Sequence, residues 1–223
     1  MPKIGIILSG CGVKDGSEIH EATLLLLAID KAGATALCFA PDKDQADVVD
    51  HVTGKAAREK RNVLVESARI ARGEIRDLRE AKTDELDAVI LPGGFGAAKN
   101  LCSFAEEGAQ CQVDPEVARV LRGMRQAGKP IGAACIAPVL LARLFGSDKP
   151  VLTIGSDPGT ARAVESMGAR HEVALVTGVS VDPALRLATT PCYMLATRIS
   201  QIAEGMENLV KAVLELASAT AKR

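Results

Sequence analysis

Cys135 is the residue best placed in this sequence to act as a nucleophile. It ends an apolar run and precedes a proline that can open a helix, in the stretch 131–138 (IGAACIAP). The small residues around it let the backbone turn sharply, which is typical of a nucleophile elbow between a strand and a helix. At such a corner the helix dipole and its free N–H groups favour a thiolate. The alternative is a small cysteine buried behind a core strand.

A glycine-rich segment, 92–96 (PGGFG), follows another apolar run. Its spacing does not match a dinucleotide fingerprint, and it lacks the Lys-Ser/Thr ending of a phosphate-binding loop. We expect the backbone N–H groups of Gly93 and Gly94 to point at an oxyanion formed beside Cys135. The alternative is a tight turn without chemistry.

Glu21 is the candidate carboxyl partner of the cysteine. It falls in the second turn of the first predicted helix, near the end of the first predicted strand. A carboxyl group there can contact Cys135 and move a proton, and burial beside a thiolate would raise its pKa. The alternative is a surface glutamate that interacts favourably with the helix dipole.

Three further residues are candidate accessory groups. His20 precedes Glu21, although adjacent helical side chains point about 100° apart, so that an exposed His20 is the simpler expectation. Cys11 follows the first predicted strand and is either a resolving thiol for an oxidised Cys135 or a small residue in a tight turn. Tyr193, the single tyrosine of the chain, is expected to line the pocket.

These residues are positioned by short apolar runs that alternate with helical segments along the chain. The pattern predicts one doubly wound α/β domain over residues 1–223 with a mostly parallel sheet, and an irregular insertion at about 43–61. In such a sheet, ligands bind beyond the carboxyl ends of the strands. The segments expected to meet there are 9–12, 92–96, 135–138 and 190–193.

The composition excludes several classes of function. The 27 Lys and Arg residues nearly balance the 28 Asp and Glu residues, which predicts no nucleic-acid partner and no anionic membrane surface as a partner. The six cysteines contain no C-x-x-C pair, so neither a disulfide scaffold nor a structural zinc site is expected. Because the sequence shows no signal peptide and no long apolar run, we expect a cytoplasmic protein with reduced thiols.

Taken together, these motifs resemble the ThiJ/PfpI superfamily. The stretch 131–138 is similar to its nucleophile elbow, segments 91–94 and 99–101 to its glycine loop, and Glu21 to its acidic residue. The resemblance is closer to the ElbB branch, whose members are called isoprenoid biosynthesis proteins with an amidotransferase-like domain. It covers nearly the whole chain through segments 7–12, 15–22, 92–101, 189–191 and 193–196.

This resemblance implies a flavodoxin-like three-layer sandwich that forms a homodimer, with Cys135 as the reactive thiol and Glu21 as its partner. It also implies a glutathione-independent glyoxalase, which converts small 2-oxoaldehydes to 2-hydroxy acids through a Cys135 hemithioacetal. Gly93, Gly94 and Ile136 would bind the substrate and its oxyanion. Glu21 or His20 would be the base, and the reaction needs no metal or organic cofactor.

The sequence lacks the residues that are typical of two other activities in the superfamily. Peptidases have a histidine directly after the nucleophile, where this chain has Ile136. Glutaminases have a proline two residues before their downstream histidine, and His171 lacks it. The competing hypothesis is a non-enzymatic redox or stress-response protein that uses Cys135 as a sensor; a direct role in isoprenoid synthesis rests on the branch name alone.

Overall fold

The protein is represented by a computed structural model that describes residues 1–219, and residues 220–223 of the expected single domain lie outside that range. The strands are β1 (Lys3–Ile7), β2 (Thr35–Ala40), β3 (Ile75–Asp77), β4 (Ala88–Leu91), β5 (Ile131–Ala134), β6 (Val151–Leu152), β7 (Arg170–His171), β8 (Ser180–Asp182) and β9 (Leu187–Thr190). Seven of them form one sheet in the order β3-β2-β1-β4-β5-β9-β8. Only the β8–β9 pairing of that sheet is antiparallel.

Helices cover both faces of this sheet. They are α1 (Ile19–Lys31), α2 (Val63–Ile70), α3 (Phe95–Lys99), α4 (Phe104–Glu107), α5 (Pro115–Gln126), α6 (Pro138–Phe145), α7 (Pro158–Ser166) and α8 (Ile199–Ser218). Helices α1, α2 and α8 contribute buried side chains to one core, and α3, α5, α6 and α7 contribute to the core on the opposite face. The expected three-layer α/β sandwich with a mostly parallel sheet is thereby confirmed.

The central strand β1 shows why the apolar runs form sheet rather than helix. Ile4 and Ile6 face the core beneath α1 and α8, while Ile7 faces the core of the opposite side. All three side chains are at most 1% exposed. A strand covered by helices on both faces therefore reads as a continuous apolar run.

The carboxyl ends of the central strands meet at one edge of the sheet, as expected. Because β1, β4, β5 and β9 are parallel neighbours, the loops that follow them lie side by side. The N–H of Glu18 donates to the carbonyl of Gly93 at 2.9 Å, and the N–H of Cys135 donates to the carbonyl of Thr190 at 2.9 Å. These bonds fix the loop ends against one another.

Helix α1 is capped by Glu18, whose side chain accepts a 2.7 Å hydrogen bond from the N–H of Glu21. Ser17 turns inward, and its hydroxyl accepts from the N–H of Ser9 at 2.9 Å. Strand β6 does not join the main sheet, since it pairs with β7 in a separate two-stranded sheet.

Residues 43–61 contain no helix or strand, and they pack on the loops at the edge described above. The N–H of Ala46 donates to the side-chain oxygen of Asn100 at 2.8 Å, and Lys99 forms a 2.7 Å ion pair with Asp47. The side-chain amide of Asn100 donates in turn to the carbonyl of Ser9 at 2.8 Å. Asn100 therefore joins the insertion to the loop after β1.

The contact between Gly96 and the loop after β1 can be tested by mutation. A Cβ on Gly96 would lie 2.5 Å from the Cα of Gly16 and 2.6 Å from the carbonyl oxygen of Ser9, both of them backbone atoms. We expect Gly96→Ala to lower the free energy of unfolding by about 1–3 kcal/mol in urea denaturation. Gly159→Ala is the matched control, since Gly159 is an exposed helical residue whose Cβ would meet only Asp157, at 3.4 Å. Equal stability of the two variants would contradict the crowding of Gly96.

Candidate active site

Cys135 lies at a sharp corner between β5 and α6. Its backbone is left-handed, with φ 59°, a conformation that residues other than glycine rarely adopt. The backbone bond from Cys135 to Thr190 holds this corner against the end of β9. The residue is only 8% exposed. Strand, strained turn and helix follow one another as in a nucleophile elbow, which matches the geometry expected from the sequence.

The carboxyl group of Glu21 is fully buried against this thiol. Glu21 is 0% exposed and lies in the first turn of α1, one turn earlier than expected. One carboxyl oxygen accepts from the N–H of Gly93 at 2.8 Å, and the other accepts from the N–H of Tyr193 at 3.2 Å. The carboxyl group is also hydrogen-bonded to the Cys135 side chain. Three separate loops thus converge on one carboxyl group.

Gly93 permits this close approach because it has no side chain. A Cβ at this position would lie 2.4 Å from the Cβ of Cys135 and 2.7 Å from a carboxyl oxygen of Glu21. The N–H of Gly93 donates to Glu21, and the oxyanion role expected for Gly93 stays a prediction. Its place in the site is to position the carboxyl group.

Burial raises the pKa of Glu21 to about 7. The loss of solvation is the largest cause, and the negative charge of Glu18 adds to it. The hydrogen bonds from Tyr193, Gly93 and Cys135 act in the opposite direction, because they stabilise the carboxylate. At neutral pH, Glu21 can therefore both accept and donate a proton.

The pKa of the Cys135 thiol is also raised, well above its ordinary value. Burial is the largest cause, followed by the negative charge of Glu21. The N–H groups of Gly94 and Ile136 donate toward the sulfur and lower the pKa, but they do not outweigh the other two effects. The expectation that the helix N-terminus keeps Cys135 as a thiolate is wrong, because burial and the Glu21 charge together outweigh the N–H donors.

Gly94 and Ile136 retain the place expected for an oxyanion site. Both direct a backbone N–H at the sulfur of Cys135, from the glycine loop and from the residue after the nucleophile. Gly94 has φ 97°, and a Cβ there would lie 2.3 Å from the backbone nitrogen of Glu18. When a substrate carbon bonds to the Cys135 sulfur, the oxygen on that carbon becomes negatively charged. The N–H groups of Gly94 and Ile136 are placed to donate hydrogen bonds to this oxygen.

Cys135 opens into a cavity of about 420 Å³ with mainly apolar walls. Phe95, Phe104, Ile136 and Met194 line it, together with the tyrosine Tyr193. Apolar walls around a few polar groups are typical of sites for small molecules. The lining role expected for Tyr193 is consistent with this cavity, and Phe104 is a wall residue that the sequence did not single out.

His20 contacts Tyr193 at the wall of this cavity. Its imidazole Nδ1 lies 2.7 Å from the Tyr193 hydroxyl, and its own side chain is 52% exposed. His20 does not line the cavity, and its exposure matches the simpler of the two expectations. The pair nevertheless forms a hydrogen-bonded path between solvent and the cavity wall.

Cys11 belongs to different surroundings from Cys135. Burial raises its pKa, and the nearby charges that affect it include those of Glu66 and Arg69. The thiol that interacts electrostatically with Cys135 is Cys192, which is buried at the end of β9. A resolving role for Cys11 is therefore without structural support.

The other histidines and acids do not extend the site. His171 accepts a 3.4 Å hydrogen bond from the N–H of Ile154 in the small two-stranded sheet, and His51 lies beside Asp15. Within residues 1–219, no group of three or more His, Cys, Asp or Glu side chains is arranged to hold a metal ion.

The chain is similar to curated and structurally known proteins over nearly its whole length. It is 46% identical to a human glutamine amidotransferase-like class 1 domain-containing protein 3, with 96% of this chain and 83% of that protein covered. It is 34% identical to an isoprenoid biosynthesis protein with an amidotransferase-like domain from Ehrlichia chaffeensis, with a TM-score of 0.89 over 96% of this chain and 99% of that one. No protein-family model matches the chain.

A more distant structure shares the fold alone. Glyoxalase III from Candida albicans is 11% identical, with a TM-score of 0.62 over 95% of this chain and 97% of that one. The human relative is named as a mitochondrial protein, so the cytoplasmic location expected from the sequence stays a prediction. Across the described residues, no helix is long and apolar enough to cross a membrane.

The raised pKa of Glu21 predicts a pH-dependent stability. Since its pKa rises from 4.5 to about 7 on folding, the folded protein holds a proton that the unfolded chain releases in this range. Relative to Glu21→Gln, the wild-type free energy of unfolding should fall by roughly 3 kcal/mol as the pH rises through this window. Urea denaturation at several pH values measures the difference.

Asp30→Asn is the control for this experiment, because it removes an exposed carboxyl group from the same helix. Its unfolding free energy should follow that of the wild type across the pH range. A constant difference between wild type and Glu21→Gln at all pH values would show that the Glu21 pKa is not raised.

Proposed function

The chain belongs to the ThiJ/PfpI superfamily, and on this premise we propose that it is a glutathione-independent glyoxalase that acts on small 2-oxoaldehydes. The observation that carries the proposal is a fully buried carboxyl group, with a pKa of about 7, hydrogen-bonded to the Cys135 thiol. A protonated thiol must lose its proton when it adds to an aldehyde, and a base whose pKa lies near neutral pH can accept that proton. The small apolar cavity suits a substrate such as methylglyoxal.

The first step joins the Cys135 sulfur to the aldehyde carbon. Because the thiol is protonated at neutral pH, its proton moves to the Glu21 carboxylate as the carbon–sulfur bond forms. The aldehyde oxygen becomes an alkoxide, which the N–H groups of Gly94 and Ile136 stabilise. Glu21 then passes its proton to this oxygen, which completes a hemithioacetal and restores the carboxylate.

The second step moves a hydrogen from the former aldehyde carbon to its neighbour. A base removes it as a proton while the neighbouring carbonyl oxygen gains one, which gives an enediol. Protonation of the adjacent carbon and loss of the hydroxyl proton next to the sulfur then yield a thioester of the 2-hydroxy acid. Glu21 is the base nearest the sulfur, and the Tyr193 hydroxyl, hydrogen-bonded to His20, can exchange the second proton with solvent. Water hydrolyses the thioester, which releases the acid and the Cys135 thiol.

The raised pKa of Cys135 supports this enzyme over the redox-sensor hypothesis. A sensor cysteine reacts with oxidants as a thiolate, and its surroundings usually lower its pKa. Here burial and Glu21 raise the pKa instead. A thiol that loses its proton only when it reacts is consistent with acid–base catalysis by the neighbouring carboxyl group.

The proposal is tested by measuring the formation of lactate from methylglyoxal without glutathione. We expect Cys135→Ala to abolish turnover and Glu21→Gln to lower kcat/KM by about 10²–10⁴-fold, since it removes the proton acceptor. Tyr193→Phe should lower kcat with little change in KM, because the phenyl ring still forms the cavity wall.

Cys11→Ser is the matched control, because it removes a thiol whose charged neighbours are outside the site. It should retain wild-type kinetics. Turnover that persists in Cys135→Ala, or the absence of turnover in the wild type, would overturn the proposed activity.

A further inference from the structure

A second pair of thiols lies in the loop between α3 and α5. Residues 102–113 form a short antiparallel excursion of the chain, in which the backbone of Cys102 forms an isolated β-bridge with that of Val113. The N–H of Ser103 donates to the carbonyl of Gln112 at 3.0 Å, and the N–H of Gln112 donates to the Ser103 hydroxyl at 2.9 Å. These bonds fix the two arms of the excursion and place Cys102 and Cys111 close enough for each thiol to shift the pKa of the other.

This thiol pair has no part in the Cys135 site. Cys102 is 5% exposed and Cys111 is 0% exposed, and the Cys102 sulfur also lies 3.4 Å from the carbonyl oxygen of Ala97. Two thiols held in contact by a bonded backbone are already placed for a cross-link. In the sequence they are separated by residues 103–110 and share no recognisable motif.

The surroundings of Cys111 favour its reaction. Donation from Cys102 is the largest influence, and together with the positive charge of Arg143 it lowers the pKa of Cys111 to about 7, against the opposing effects of burial and Glu107. The Arg143 side chain is held there by a 2.6 Å hydrogen bond from its Nε to the Cys111 carbonyl. Cys111 also borders a surface cavity of about 480 Å³ that Arg122 and Arg143 line.

We propose that Cys102 and Cys111 form a redox dithiol that hydrogen peroxide converts to an intrachain disulfide. The Cys111 sulfur attacks one peroxide oxygen and becomes a sulfenic acid, with release of water. The Cys102 sulfur then attacks the Cys111 sulfur, and the sulfenic oxygen leaves as a second water. One peroxide is reduced to two waters while two thiols are oxidised to one disulfide, and a dithiol reductant reverses the change.

The cross-link would close a loop that forms part of the wall around Cys135. Phe104 and Ala105 lie between the two cysteines, and both line the cavity that contains the Cys135 thiol. The oxidised form would thus hold this wall by a covalent bond in addition to its hydrogen bonds. The proposal does not depend on the reaction that Cys135 catalyses.

The test treats the full-length reduced protein with equimolar hydrogen peroxide, then blocks the remaining thiols by alkylation. We expect a Cys102–Cys111 linked peptide in non-reducing peptide mapping, and two fewer titratable thiols than the six of the reduced chain. Dithiothreitol should restore all of them. The same linked peptide should form in Cys135→Ala, which separates this chemistry from the proposed enzyme activity.

Single variants identify the order of the reaction. In Cys102→Ser the sulfenic acid of Cys111 has no resolving thiol and should be trapped by dimedone, whereas Cys111→Ser should give no linked peptide and no such adduct at Cys102. Cys11→Ser is the matched control and should form the disulfide as the wild type does. Peroxide-treated wild-type protein in which Cys102 and Cys111 are still alkylated separately would overturn the proposal, and this measurement requires no variant to fold.

Discussion

The contact between the Glu21 carboxyl group and the Cys135 thiol is the constraint on which the rest of the site depends. Both groups are buried, and two ionisable groups in an apolar space cannot both carry a negative charge without a large energetic penalty. The protein reduces that penalty with two backbone N–H donors to the carboxyl group, from Gly93 and Tyr193, and it retains the thiol proton. The result is a protonated thiol beside a carboxyl group that gains and loses its proton near neutral pH.

The fold supplies this contact by bringing strand ends together rather than by a local motif. Glu21 comes from the helix after β1, Gly93 from the loop after β4, Cys135 from the end of β5 and Tyr193 from the segment after β9. Since these four strands are parallel neighbours, each loop needs only a few residues to reach the site. Small residues and left-handed backbone at Cys135 and Gly94 let the loops approach closely enough for hydrogen bonds.

The thiol pKa values of two cysteines in this chain, Cys135 and Cys111, are shifted in opposite directions. At Cys135 a carboxyl group and burial raise the thiol pKa, which favours chemistry in which the proton is transferred during the reaction. At Cys111 a neighbouring thiol donor and the Arg143 guanidinium lower the pKa to about 7, which favours direct reaction as a thiolate. Burial together with the Glu21 charge therefore sets the pKa of Cys135, whereas hydrogen bonding from Cys102 together with the Arg143 charge sets that of Cys111.

The sequence by itself determined the alternation of strands and helices, the elbow at Cys135 and the candidate partner Glu21, because apolar periodicity and small residues around a turn are local signals. It did not determine the direction of the Gly93 N–H, the protonated state of the Cys135 thiol or the pairing of Cys102 with Cys111. The tertiary structure decided these, because a pKa and a hydrogen-bond partner depend on burial and on groups far away in the chain. Cys102 and Cys111 carry no signal in sequence, since their contact comes from the backbone pairing of the excursion that contains them.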